Sequence, residues 1–340
     1  MNKFSWVSAL TLSTVVAMTG CDTGDTDDVW IDEQAESYEE IPELRDHVIQ
    51  GMRIQGMRLQ GMRLQGLRLQ GVSLQGINIQ GVRLQGIRLQ GLSVQGISVQ
   101  GSSLSGVVGG EELSAEELVG AEMDVYFDVL EAEYTMRIDD VYKDPSNPEG
   151  DVYFYQITYL DPETQEWKPT CEDHENNESI AMAGAWDDTG ARVEVEGLFS
   201  FSCRNAVAAK CVEWGYRPWA EQEGESLASY HQACTRMARA DYCGDGTPHT
   251  LEGVTIDIED QLDTSLQTFE SWWPYEAEWN EDGAVCVRPW NLRLWLTGEA
   301  YPSCMYDIEY IKKCGWDPQE ESLLVNRFSF FYNWWQLNNN

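Results

Sequence analysis

Between residues 51 and 105 the chain repeats the pattern Gly–apolar–polar–apolar–Gln eleven times, as in Gly61-Met62-Arg63-Leu64-Gln65; only the last pentad ends differently, in Ser105. A period of five is neither the 3.6 of a helix nor the 2 of a strand. The apolar slots are filled at 21 of 22 positions, Ser102 being the exception. Two residues apart, they point to one side of an extended segment, and the polar residue between them points to the other. Glycine then takes the corner, because positive φ carries no steric cost there. A short strand, a corner and the same again predicts a coil whose stacked turns bury both apolar slots.

The pentads resemble the pentapeptide-repeat family, and the resemblance implies a short β-solenoid, a square β-helix with four pentads per turn. The chain departs from that family in the first inward slot, where Met52, Met57, Met62, Leu67, Val72 and Ile77 stand in place of small residues. With four pentads per turn, Arg63 lies over Arg83 and Arg68 over Arg88, while the faces of Arg53 and Arg58 fade to Ser and Asn. Fewer than three turns result, so the coil is expected to lean on the segment after it, which would cap its open edge. Three readings fit Arg53, Arg58, Arg63, Arg68, Arg83 and Arg88. They keep an aggregation-prone repeat soluble. They dock acidic parts of the same chain. Or they bind an external polyanion, such as an envelope polysaccharide, through their bidentate forks.

Charge divides the chain further. Its 340 residues hold 58 acids and 22 bases, a net of −36. Residues 22–46 carry eleven acids and one Arg and read as a disordered tether. Residues 51–105 carry the six Arg and no acid, and residues 107–340 carry 47 acids against fourteen bases. This balance argues against nucleic acid as a partner of the whole molecule.

At the N-terminus, Lys3 precedes an apolar run from Trp6 to Met18, too short to span a bilayer and suited to a signal peptide. The following "MTGC" resembles a bacterial lipobox, which makes Cys21 the lipidated residue and the membrane the first partner. The expected localisation is exported and lipid-anchored, facing the periplasm or the cell surface. Eight cysteines follow: Cys171, Cys203, Cys211, Cys234, Cys243, Cys286, Cys304 and Cys314. An even number in an exported chain reads as four disulfides. Cys304 with Cys314, closing a short local loop, is the pair expected.

The C-terminal region reads as disulfide-rich α+β. Strands are predicted at 151–160, 191–203 and 254–258. A helix is predicted over 206–214, capped by Asn205 and stopped by Gly215. A second, capped by Ser226, runs through "LASYHQACTRMARADY". The tail "FSFFYNWWQL" is predicted as a terminal strand, with an exposed partner patch as the other reading.

The motifs "KCVEWGYRPW", "HQACTRMARADYCGDGTPHT", "GVTIDIED" and "YEAEWNEDGAVCVRPW" resemble the ADYC domain, named for Ala240, Asp241, Tyr242 and Cys243 here. "WKPTCEDHENNESIAMAGAWDDTG" is similar to its first half. The resemblance spans residues 121–296 and implies an exported bacterial domain; it brings no activity with it.

Chemistry-bearing residues each have a bland reading. Cys234 or Cys243 beside His231 or His249 suggests a thiol nucleophile, but an even cysteine count favours disulfides. His231 and His249 with Asp241 and Asp245 suggest zinc, without any repeated ligand spacing. Asp245, Asp257 and Glu259 are candidate Ca²⁺ ligands without an EF-hand pattern, so no cofactor is expected beyond this candidate. A glycosidase carboxylate pair cannot be singled out among so many acids. Trp-rich segments near the C-terminus suggest a glycan surface or simply core. The 239–241 segment is expected to be a helix end locked by an ion pair and a neighbouring disulfide. The sequence thus implies a signal peptide (1–20), an acidic tether (21–46), a β-solenoid (47–106) and an ADYC-like α+β domain (107–340). The expected role is non-enzymatic, binding an envelope polysaccharide or another envelope protein. An extracytoplasmic hydrolase and a self-assembling surface element are the alternatives.

Overall fold

The computed structural model describes residues 82–339, except 91, 128–131, 172–175, 188, 194–198, 252–253, 299–300, 307–311 and 316–317. Cys21, the tether, and Arg53, Arg58, Arg63 and Arg68 therefore lie outside the described residues.

The described pentads do not coil. They form β1 (Val82–Leu89) and β2 (Leu92–Gln100) and enter β3 (Ser103–Val108), joined as an antiparallel meander. Leu89 pairs with Leu92 and Gln100 with Ser103, so the chain reverses over two residues at each point. Gln90 and Gly101 take positive φ there, as tight hairpins require. The intervening glycine, Gly86, is not a corner. It sits inside β1 at a register shift between Leu84 and Gly86, and a second shift falls between Gln95 and Ser98. The physical reason is parity. Apolar slots in successive pentads are three residues apart, which would send them to opposite faces of a regular strand. One extra residue at a bulge restores the alternation. Bulged hairpins therefore satisfy the pentad pattern as well as a solenoid does.

The meander continues through β4 (Glu111–Leu113), and β1 pairs with β5 (Glu122–Phe127). The sheet then runs through β6 (Ala132–Lys143), β7 (Tyr153–Leu160), β9 (Glu178–Ala183) and β12 (Phe199–Cys203), with β8 (Trp167–Pro169) on β7. These are ten antiparallel strands, and their pairing crosses the boundary that composition drew near residue 106. Ser102, the exception among the apolar slots, is buried at that crossing. Its hydroxyl donates to the Asp151 carbonyl at 3.1 Å and accepts from the Tyr153 N–H at 2.6 Å. The Tyr155 hydroxyl, 2.8 Å from both the Ser102 carbonyl and the Leu104 N–H, ties β3 back to β7.

Alternation on β7 builds two cores. Tyr155, Ile157 and Tyr159 face one with Leu104, Met123, Met136 and Phe201. Phe154, with Ile180 and Met182 of β9, faces the other. That second core holds α1 (Val207–Glu213) and α2 (Leu227–Arg239) against a five-stranded sheet ordered β15-β19-β16-β17-β18. These strands are β15 (Asp257–Asp260), β16 (Tyr275–Asn280), β17 (Gly283–Val287), β18 (Lys312–Lys313) and β19 (Leu324–Arg327). Two further short hairpins, β10–β11 and β13–β14, span 185–193 and 221–226. The described domain is mostly β with few helices, a correction to the α+β expectation.

Ser226 caps α2 through the Ala228 N–H, as its sequence predicts. Asn205 does not cap α1; the Ser202 hydroxyl of β12 takes the Ala209 N–H instead, at 3.2 Å. The 254–258 strand is displaced to Asp257–Asp260. The tail is a helix, α4 (Phe330–Asn339), not a strand, and α3 (Leu294–Thr297) precedes it.

All eight described cysteines pair: Cys171–Cys203, Cys211–Cys234, Cys243–Cys304 and Cys286–Cys314. The expected Cys304–Cys314 bridge does not form. Parallel pairing of Cys286 with Lys312 carries Cys314 to Cys286, which leaves Cys304 for Cys243. Strand register overrides sequence proximity.

Candidate functional site

The exit of α2 gathers the least ordinary chemistry of the domain. Ala240 ends the helix in the left-handed conformation at φ 54, and its N–H returns to the Arg236 and Met237 carbonyls. A glycine usually takes such a position, but Ala240 is buried and its methyl fills core space. The reversal turns Asp241 back under the helix. Its Oδ2 accepts from Arg236 Nη1 at 2.6 Å and from the Gly246 N–H at 3.0 Å. Arg236 Nε donates to the Glu281 carbonyl at 3.0 Å, and Nη1 also reaches the Thr189 carbonyl. Arg239 Nη2 donates to the Gly246 carbonyl. Burial raises the Asp241 carboxyl above its ordinary range, opposed by Arg239 and Arg236, and burial lowers Arg239 to about 10.

Tyr242 enters the opposite side. Its ring lies between Trp279 and His249, at centroid distances of 5.3 and 5.9 Å. Its hydroxyl donates to Glu276 Oε1 at 2.5 Å. Glu276 is gripped by Arg293 Nε at 3.0 and 2.9 Å, by the Arg293 N–H at 2.9 Å and by Asn326 Nδ2 at 2.5 Å. Trp279 Nε1 in turn holds Asn326 Oδ1 at 2.8 Å. Arg293 completes the arrangement by donating Nη1 to the Ala238 carbonyl at 3.1 Å and Nη2 to that of Met237. The carbonyls left open at a helix C-terminus thus receive a buried cation whose counter-ion is fixed by three further donors. Cys243 then crosses to Cys304.

Gly244 has no room for a side chain, since a Cβ would lie 1.7 Å from the Asp282 carbonyl oxygen. The motif is therefore a knot: helix cap, two buried ion pairs, a stacked tyrosine and a disulfide within one short segment. The expected ion pair is present, but its cation is Arg236, one turn before Arg239.

The other candidates are not drawn together. Cys234 and Cys243 are in disulfides, so among the described residues neither offers a thiolate. His231 is fully buried with Nε2 3.0 Å from the Ala208 carbonyl, beside Trp186; burial lowers it to about 3. Asp245 holds the Thr247 N–H in a local turn. Asp257 closes a different turn through the Glu270 and Ser271 N–H groups. Glu259 stands on β15 opposite Val325. Among the described residues the only metal-sized cluster is Glu278, Cys286 and Cys314, whose two sulfurs are bonded to each other. Arg88 of the basic pentads meets Asp124 at 2.7 Å, a contact within the chain.

Sequence reading missed Arg236, Glu276, Arg293 and Asn326. Glu276 lies within β16 and Arg293 follows β17, and nothing local distinguishes them from surface charges.

Fold and site define a disulfide-stapled, mostly β module organised around a locked helix exit. The chain belongs to the ADYC domain family, whose model matches residues 115–293. That match closes on Arg293, the residue that caps α2. Comparisons with curated proteins and with solved structures found no match.

Proposed function

We propose that this is an exported, lipid-anchored envelope protein whose ADYC domain is a rigid binding or structural module rather than an enzyme. One observation carries the reading: the motif's ionisable side chains lie inside the core. Asp241 Oδ2, Glu276 and Arg293 are bonded to partner side chains and to backbone, while among the described residues Asp241 Oδ1 and Arg239 Nε are sealed in without a hydrogen-bond partner and without access to solvent. Asp241, Glu276 and Arg293 are all buried at 1% exposure or less. Catalytic groups must come within hydrogen-bond reach of substrate, and these buried groups instead hold a helix end.

Four disulfides belong to an oxidising compartment, and no described helix is long and apolar enough to cross a membrane. Lipid on Cys21 supplies the anchor in this reading, and residues 22–46 the tether. The basic pentads serve as spacer and as a face for an anionic envelope polysaccharide or another envelope protein. Arg88 on Asp124 supports a share of that charge being met within the chain.

The test is metabolic labelling with a clickable fatty acid, followed by envelope fractionation and a salt-series pull-down. Label lost in Cys21→Ser, and salt-sensitive retention lost when Arg63, Arg68, Arg83 and Arg88 become Ser, are the expected results. An unlabelled wild-type chain would remove the anchor from the proposal. Retention unchanged in the Arg variant would remove the polyanion face.

A further inference from the structure

Helix α4 is inside out. Its inward residue is polar: Asn333, 0% exposed, accepts the Thr255 N–H at 2.6 Å and donates to the carbonyls of Thr255 and Ser329 at 3.0 Å each. Three of its five aromatic residues are more than half exposed, Phe331 at 82%, Trp334 at 53% and Trp335 at 59%. A helix at the surface of a globular domain normally does the reverse.

The neighbouring surface extends the feature. Trp273 packs on Tyr332 with ring centroids 4.9 Å apart, and the adjacent Trp272 is 99% exposed. Helix α3 contacts α4 and adds exposed Trp295. Charge is sparse in the segments that carry these aromatics, although the exposed Glu270 borders one of them. Residues 271–275, 289–297, 301–306 and 328–339 contain one charged side chain, the buried Arg293, in a chain that is 24% charged.

We infer that this face is a membrane-contact surface that seats in the interface of an uncharged or zwitterionic bilayer. Three observations select that occupant. Trp and Tyr are the residues whose apolar body and polar edge suit the headgroup boundary. Phe331 and Leu337, both exposed, have no polar edge and gain only from an apolar medium. A ten-residue helix is about 15 Å long against a hydrocarbon core of about 30 Å, so α4 lies along the interface and does not span it. The net charge of −36 sets lipid preference, since an anionic surface would repel the rest of the chain. This contact is independent of Cys21 acylation.

The experiment uses the chain from Asp22 onward, carrying no lipid and oxidised to four disulfides. It is floated with phosphatidylcholine vesicles, with and without phosphatidylglycerol, and its Trp emission is read with lipids brominated near the glycerol. Expected results are co-flotation with the zwitterionic vesicles, quenching by the brominated lipids and weaker binding as anionic lipid increases. Phe331→Ser/Trp334→Ser/Trp335→Ser should reduce binding at least tenfold while keeping its disulfides and far-UV spectrum. Trp272→Ser, at a side chain that supports no core, should weaken binding severalfold and guards against a folding artefact in the triple variant. Absence of flotation by the unaltered chain overturns the inference, as does equal binding by both variants. Retention on a neutral polysaccharide without vesicle binding would make the face a glycan platform. A dimer that buries these aromatics and ignores lipid would make it a self-association surface.

Discussion

Removing the cation that closes the knot tests whether the ADYC segment is held as described. In Arg293→Met the Ala238 carbonyl loses its guanidinium donor, the Met237 carbonyl keeps the Ala240 N–H, and Glu276 keeps Tyr242, Asn326 and one backbone N–H but no positive charge. Both partners of the pair are essentially unexposed, at 1% and 0%. Removing one member of such a pair costs about 3–5 kcal/mol. The three neutral donors left on Glu276 place this variant at the lower end, about 3 kcal/mol. The assay is urea unfolding under non-reducing conditions, followed by Trp emission. With a slope of about 2–3 kcal/mol per molar urea, the midpoint should fall by about 1–1.5 M. Glu276→Gln should cost a similar amount, and the double variant less than the sum, with a coupling of about 1–3 kcal/mol. Single variants that each cost under about 1 kcal/mol, or a strictly additive double variant, would refute the claim that this pair locks the helix end.

Two further predictions concern neighbouring residues. His231 is lowered to about 3 in the fold against about 6.5 unfolded. The unfolded chain therefore takes up the proton first, so its contribution is complete above pH 6.5 and is lost as pH falls towards 3. That loss is about 2 kcal/mol at pH 5, and His231→Gln should flatten this part of the pH–stability curve measured by urea midpoints. Gly244→Ala places a Cβ on the Asp282 carbonyl at φ +66. It should cost at least about 3 kcal/mol, whereas Gly109→Ala, at φ +62 in open space, should cost only the left-handed penalty of about 1–2 kcal/mol. Equal midpoints for the two variants would refute the close approach.

Legibility followed the range of the interactions. Ser226 and α2 were readable because a cap and its helix are a local signal. The family was readable because "ADYC" and its flanks are contiguous. The knot was not, because Tyr242 meets Glu276 across 34 residues and Asn326 meets Glu276 across 50. The tail misled for a related reason. Aromatic residues have strand propensity, and with Asn333 turned inward the polarity pattern of α4 no longer identifies a buried face.

The sequence by itself determined the period of the basic region, the even cysteine count, the cap of α2 and the family. Tertiary structure decided the rest. Pentads of two apolar slots and a glycine satisfy a solenoid by turning at every glycine. They satisfy a meander by turning at alternate glycines and bulging between them. Both bury one face, so the pattern cannot choose. The described pentads form the meander because β5 offers β1 an antiparallel edge and Tyr155 receives Ser102 and Leu104. The cysteine partners were chosen in the same way, by which strands lie side by side. Local chemistry sets what each segment is able to form, and a partner distant in sequence selects the form it takes.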